Sequence, residues 1–239
     1  MVLLLSDIAA QENGEPPAVD LLTFSRNYIN STLDEDLGYK HLFLKEDTFK
    51  VWGWSKNGNI AYTIRDTENW RGAIITKAYI FNLVKDTVLW ENTIFSDEYG
   101  DENAYSNAYG SFIEDFKNEI EKCGISFIEI NYNNFPVIFN NNTINVKIQK
   151  TPNPGWDLAG EERSKKFNDY SVIAEKNNKR KTIASVTRPD ALSVIPCGYF
   201  KSPFEDRALI VVAHFQYMLE GECWITFNFS GCHLTDGFK

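Results

Sequence analysis

The sequence contains no Gly-x-Ser-x-Gly elbow, no His-Glu-x-x-His, no P-loop and no Gly-x-Gly-x-x-Gly. The strong signatures of serine hydrolases, zincins and nucleotide binders are therefore missing. Histidine is scarce: His41, His214 and His233 are the only three, so an all-histidine metal site would need every one of them. The four cysteines, Cys123, Cys197, Cys223 and Cys232, include no Cys-x-x-Cys, which excludes a zinc ribbon or a thioredoxin-type motif. Cys223 and Cys232 flank an eight-residue β-type run whose extended ends lie ~25 Å apart, too far to bridge. Cys197 is then the candidate partner of either, from a neighbouring strand. No apolar run approaches the ~18 residues that span a bilayer. Basic charge is short as well: 24 Lys and Arg against 33 Asp and Glu give a net charge of -9, which disfavours nucleic acid as the main partner. The one basic run, Lys176 to Lys181, reads as a solvated hairpin turn.

What the chain does have is apolar and aromatic surface. With 43% hydrophobic and 14% aromatic residues in 239, it can bury enough surface to offset the entropy of ordering, as one large β domain or two small ones. The clearest signal is Phe49 to Trp90, four β-type runs parted by turn residues. Phe49, Val51 and Gly53 alternate with Lys50, Trp52 and Trp54 at the period of two that a strand requires. Asn57-Gly58 suits the positive φ of a tight turn, Ile60 to Ile64 forms the second run, Ala73 to Asn82 the third, Lys85-Asp86 the next turn, and Thr87 to Trp90 the last run. The pattern predicts a four-stranded antiparallel meander. From Tyr105 to Cys123, Tyr105, Ala108, Tyr109, Phe112, Ile113, Phe116 and Ile120 fall at helical intervals, and Gly124 stands where a helix C-cap needs positive φ. That aromatic stripe is expected to pack on a sheet.

The run Trp54-Ser55-x-x-Gly58-x-Ile60-Ala61-Tyr62, with Tyr79 to Leu83 behind it, resembles one blade of a β-propeller of the TolB or WD type. Lys56 and Asn57 stand where those blades carry Pro and Asp. A second, weaker resemblance runs from Gly198 through Ser202-Pro203 to the apolar run Ala208 to Phe215, with Glu205-Asp206 in place of the glycine. The opening Gly53-Trp54-Ser55-Lys56-Asn57-Gly58 also resembles a group of bacterial secreted proteins with no assigned activity. The resemblance implies a mainly β, partly propeller-like fold of antiparallel meanders with one amphipathic helix. The alternative is an α+β antiparallel sheet domain.

The chain is expected to begin with a signal-like or disordered segment, 1–17, in which Val2 to Leu5 and Ile8-Ala9-Ala10 read as a truncated secretory signal. Residues 18–150 then form a β-rich region with the blade at 49–90 and the helix at 105–123, and 151–239 a C-terminal β-rich region, either of the same domain or of a second one. Ala18 to Thr32 reads as a short helix, Ile125 to Ile130 as a strand, and Val137 to Asn140 with Thr143 to Lys150 as a hairpin turned by Asn140 to Asn142. Further strands follow at Tyr170 to Glu175, Thr182 to Thr187, Leu192 to Phe200, Ala208 to Leu219 and Trp224 to Phe229. The acidic stretches at Asp34 to Asp36 and Asp97 to Glu102 lack the ligand spacing of a calcium loop and read as solvated turns. No pattern implies a metal or a cofactor. Cys232-His233 are strand neighbours whose side chains diverge, so a thiol and imidazole pair is disfavoured, and His214 reads as a packed strand residue. Trp54 and Trp90 fit core positions; Trp70 and Trp156 are expected on loops, where an indole can stack on a sugar or a peptide. The expectation is a non-catalytic binding or interaction module outside the cytoplasm, secreted or periplasmic, with a protein or carbohydrate ligand. The alternatives are a carbohydrate hydrolase using loop carboxylates, whose pairing leaves no trace in spacing, and a structural cell-envelope protein.

Overall fold

The computed structural model describes residues 14–25, 41–44, 46–68, 73–96, 102–152, 167–187, 191, 193–217 and 222–239. In chain order these form strands β1 (His41–Leu44), β2 (Glu46–Trp54), β3 (Asn59–Glu68), β4 (Ala73–Asn82) and β5 (Thr87–Phe95), then helix α1 (Glu102–Lys122). Strands β6 (Tyr132–Asn133), β7 (Val137–Phe139), β8 (Asn142–Pro152), β9 (Phe167–Lys176) and β10 (Lys179–Thr187) follow, and then β11 (Ser193–Lys201), β12 (Arg207–Tyr217) and β13 (Glu222–His233). The chain divides into two compact units. The first holds Glu46–Asn131 with residues 14–20 and Ser202–Glu205; the second holds Tyr132–Lys201 and Asp206–Lys239 with residues 21–25 and β1. The units interleave along the sequence.

In the first unit β2, β3, β4 and β5 pair in that order, all antiparallel, which is the meander read from Phe49 to Trp90. Its first turn places only Gly58 at positive φ (75°), with the Ser55 hydroxyl accepting the N–H groups of Asn57 and Asn59. Asn57 stays out of the left-handed region, so the turn is wider than an Asn-Gly two-residue hairpin. The second turn has Asp86 at φ 55° and is tied by Asn82 Oδ1, which accepts from the N–H of Val84 and of Lys85. α1 lays Phe112, Ile113, Phe116 and Ile120 against Trp52, Ala61, Ala78, Ile80 and Ile94 of the sheet. Alanine on the two central strands leaves room for the large rings: Trp52 meets Phe116 edge-on at 5.5 Å and donates its indole N–H to Thr63 Oγ1, while Trp90 stacks on Phe116. Burying the Phe116 ring completely contributes about 2–3 kcal/mol. The helix ends as the sequence predicts, at Gly124 with φ 62°; Ile125 N–H reaches back to Ile120 C=O and Gly124 N–H to Glu121 C=O.

The second unit is a pair of sheets with a shared core. One has the order β1-β13-β12-β11-β6, parallel only between β1 and β13; the other has the order β10-β9-β8-β7. Val137, Ile144, Val146, Tyr170, Val172 and Ala174 of one sheet face Val194, Tyr199, Ala208, Ile210, Val212 and Cys232 of the other. Two hairpins are closed by asparagine pairs in the left-handed conformation, Asn140-Asn141 and Asn177-Asn178, which matches the twist of the flanking strands. The Lys176 to Lys181 run is thus a turn flanked by strand. Two of its lysines are bound: Lys176 Nζ donates to Leu234 O, Lys181 Nζ to the carbonyls of His233 and Asp236, and both ammonium groups lie over the Phe238 ring.

Four expectations change. Residues 18–25 form a bridge at Val19 and a turn at 21–25, not the start of a helix; residues 26–32 lie outside the described residues. Ile125 to Ile130 is not a strand: Ser126 alone bridges Trp54, as an isolated pair with no second rung. Cys197 and Cys232 are both free thiols, their strands separated by β12, so no bridge joins them. Finally, Tyr199 lies on an inner strand between β12 and β6, whereas Trp54 ends the first strand of a consecutive meander. The two positions are not equivalent, and the described residues form no closed propeller or barrel. The blade-like unit occurs once among them. The expected signal segment falls largely outside the described residues, as do the acidic residues at 34–36 and 97–101 and the loop at 153–166. Among the described residues no helix is long and apolar enough to cross a membrane.

Candidate functional site

Two polar constellations inside the units invite a chemical reading. In the first unit the Glu15 carboxylate, with 4% of its side chain exposed, accepts from Lys50 Nζ at 2.9 Å and from the Tyr109 hydroxyl at 3.1 Å. β2 presents Lys50 and α1 presents Tyr109, so the carboxylate pins residues 14–20 across the seam between strand and helix. Burial, and secondarily the Glu15 charge, pushes the Tyr109 phenol far above its ordinary range. A hydroxyl held this firmly protonated is no nucleophile or base at neutral pH. The group is a tether.

In the second unit His214, on β12, reaches across the core to Tyr170 on β9: His214 Nε2 lies 2.5 Å from the Tyr170 hydroxyl, with the rings edge-on at 5.4 Å. Asn228 Nδ2, on β13, donates to the same hydroxyl at 3.4 Å. Burial lowers His214 to about 4 and raises Tyr170, so both are neutral at physiological pH. An imidazole this acidic is a poor general base at neutrality, and the trio cross-links two sheets. The thiols are no better placed. Burial raises Cys197 to about 11 and raises Cys232 as well, the opposite of the depressed value that a nucleophilic cysteine needs. His233 turns away from Cys232, its Nδ1 accepting from the backbone N–H groups of Thr235 and Asp236. Among the described residues no three His, Cys, Asp or Glu side chains gather as a metal site.

The remaining feature is an open sheet edge. At the other side of the meander β2 is covered: Val19 N–H donates to Phe49 O at 2.7 Å, and Trp54 and Ser126 exchange two backbone hydrogen bonds. Among the described residues nothing pairs with the outer side of β5. Ser96 N–H donates to Ile74 O, which sets residues 96, 94 and 92 in hydrogen-bonded register with β4 and turns the N–H and C=O groups of Glu91, Thr93 and Phe95 outward. One outward donor is held by the strand itself, Thr93 N–H to Asn92 Oδ1 at 2.9 Å. Exposed apolar side chains lie at the turn end of the same strand and in the turn before it: Val88 is 46% exposed, Leu89 48% and Val84 55%. Val84 and Glu205 both crowd Gly58, where a Cβ would meet each at 2.9 Å, and the half-exposed Phe204 precedes Glu205.

Trp70 and Trp156, the two residues that the sequence nominates for ligand contact, lie outside the described residues. Trp54 is fully buried and Trp90 half-buried on α1, as their core reading requires. The β5 edge was not nominated, although its signal is present: Val88 and Leu89 are adjacent apolar residues where alternation would give one. Comparison with protein families, with curated proteins and with solved structures finds no match.

Proposed function

We propose that this protein is a non-catalytic interaction module that takes an extended polypeptide segment onto β5. One observation carries the reading: among the described residues β5 is an unpaired edge, with three consecutive outward backbone positions and exposed Val88 and Leu89 beside them. Such an edge supplies main-chain hydrogen bonds to an added strand, and flanking apolar side chains supply selectivity. Long edges that are not recruited this way are ordinarily blunted by lysine, proline or a covering segment. β5 carries no lysine and no proline. A polypeptide fits this surface better than a carbohydrate, because the groups on offer repeat at strand spacing.

The test is selection from a phage-displayed peptide library on the full chain, in parallel with a Glu91→Pro variant. Proline at position 91 removes an outward N–H and leaves the ladder to β4 intact. Enrichment of β-branched, alternating peptides on the wild type, lost on the variant, supports the reading. Selected peptides that bind both proteins equally would place the binding surface elsewhere and refute it.

A further inference from the structure

We infer that the strand added to β5 is β5 of a second copy of this chain, paired antiparallel about a two-fold axis at Asn92. This rests on the strand-addition reading and goes beyond it by naming the partner. The argument is one of register. An antiparallel self-pairing must match outward positions with outward positions, and centres on Glu91, Asn92 and Thr93 all satisfy that rule. A centre on Glu91 sets two carboxylates against each other, which is repulsive. A centre on Thr93 brings Glu91 opposite Phe95. The centre on Asn92 sets Trp90 opposite Ile94 and Glu91 opposite Thr93 and brings the bulge at Leu89 beside Phe95, so apolar residues meet apolar residues and no like charges face each other.

The Asn92 register also brings opposite charges into line. Thr93 pairs with Lys77 of β4 in the same sheet, and Glu91 pairs with Tyr79. Across the axis the order on one face becomes Lys77, Thr93, then Glu91 of the second copy. Lys77 and that Glu91 stand two strands apart, about 10 Å between Cα atoms, with only the short threonine between them. A lysine stem spans the remaining gap, and the symmetry produces the pair twice. Asn92 itself completes the device. In the single chain its Oδ1 holds the Thr93 N–H; in the pair that N–H donates to the C=O of Glu91 of the second copy, and the two released Asn92 amides meet at the axis on the opposite face. A lone polar pair at a symmetry axis fixes register, as an asparagine does in a coiled-coil seam.

Charge swaps test this with the full chain, read by sedimentation velocity. The wild type should dimerise reversibly, more weakly at high salt. Glu91→Lys sets an ammonium group against that of Lys77 at both contacts, and Lys77→Glu sets carboxylate against carboxylate at both, so each variant alone should associate at least about tenfold more weakly. Mixing the two variants places opposite charges at both contacts of each mixed pair, so the mixture should dimerise where neither component does. At one contact the unchanged Lys77 of the Glu91→Lys chain meets the unchanged Glu91 of the Lys77→Glu chain, and at the other the two introduced charges meet with their signs exchanged. That rescue requires both proteins to be folded, so misfolding cannot imitate it. A monomeric wild type, or a dimer indifferent to both reversals, overturns the self-pairing; a monomer that still selects β5-dependent peptides leaves the strand-addition reading standing and removes only the second copy.

Discussion

Acidification offers the sharpest test of the second unit. His214 is held neutral inside the sheet pair, lowered from 6.5 to about 4 because burial penalises the imidazolium. The unfolded chain keeps the ordinary value, so between those limits it binds the proton more tightly than the folded chain does. Stability attributable to this group is therefore intact above pH 6.5 and is lost as the pH falls toward about 4. For a wholly buried ring the loss between about pH 7 and about pH 5 comes to about 2 kcal/mol; the His214 ring retains some exposure, and about 1–2 kcal/mol is expected. Carboxylates titrate in the same range, so the comparison must be with a variant that removes only this titration. His214→Gln retains an acceptor for the Tyr170 hydroxyl and cannot be protonated. Urea unfolding of both proteins at the two pH values gives the slopes. The wild type should lose about 1–2 kcal/mol more than the variant on acidification. Parallel losses would mean that His214 is as free to protonate in the folded chain as in the unfolded one, and the buried Tyr170–His214 contact would be refuted.

Two further outcomes follow from packing. Gly53→Ala should destabilise the first unit by about 3 kcal/mol or more in thermal melts, because its Cβ would lie 2.1 Å from the Ser126 carbonyl oxygen, a backbone atom with little freedom to move; a variant as stable as the wild type would show that Ser126 does not lie flat on β2. Glu15→Gln should cost about 1–3 kcal/mol by leaving the Lys50 ammonium, 16% exposed, without its counter-charge, and limited proteolysis should then cut within residues 14–20, where an unchanged pattern would show that the tether is dispensable.

The meander was legible because its information is local. Its connections are short or carry their own punctuation, Gly58 at one turn and Asp86 with Asn82 at another, so each strand is named by its immediate neighbours. The asparagine-closed hairpins were legible for the same reason. Phase was harder. The alternation from Phe49 to Trp54 suggests one buried and one exposed face, yet Phe49 and Val51 of one set and Trp52 and Trp54 of the other are all buried, and the pairing with β3 shifts between Val51 and Gly53. A bulge is a cross-strand fact, and nothing within β2 announces it. The polar contacts were hidden by distance: Glu15 meets partners 35 and 94 residues away, and Tyr170 meets His214 across 44. A polar run such as residues 11–17 looks the same in sequence whether it is solvated or, as at Glu15, clamped.

The edge of β5 illustrates the last limit, and also why that edge is the informative surface. Any four-stranded meander has two edges, and sequence says which strands come first and last without saying which edge is covered. Here the chain brings segments from both sides of the meander, Val19 and Ser126, to satisfy β2. At β5 the described residues supply one side-chain amide from within the strand and leave Val88 and Leu89 exposed. If an open edge were merely tolerated, lysine or proline would be the simplest safeguard, and neither occurs between Thr87 and Phe95. A cap that can swing aside satisfies the lone strand and still permits pairing. That combination is expected of an edge whose partner comes and goes.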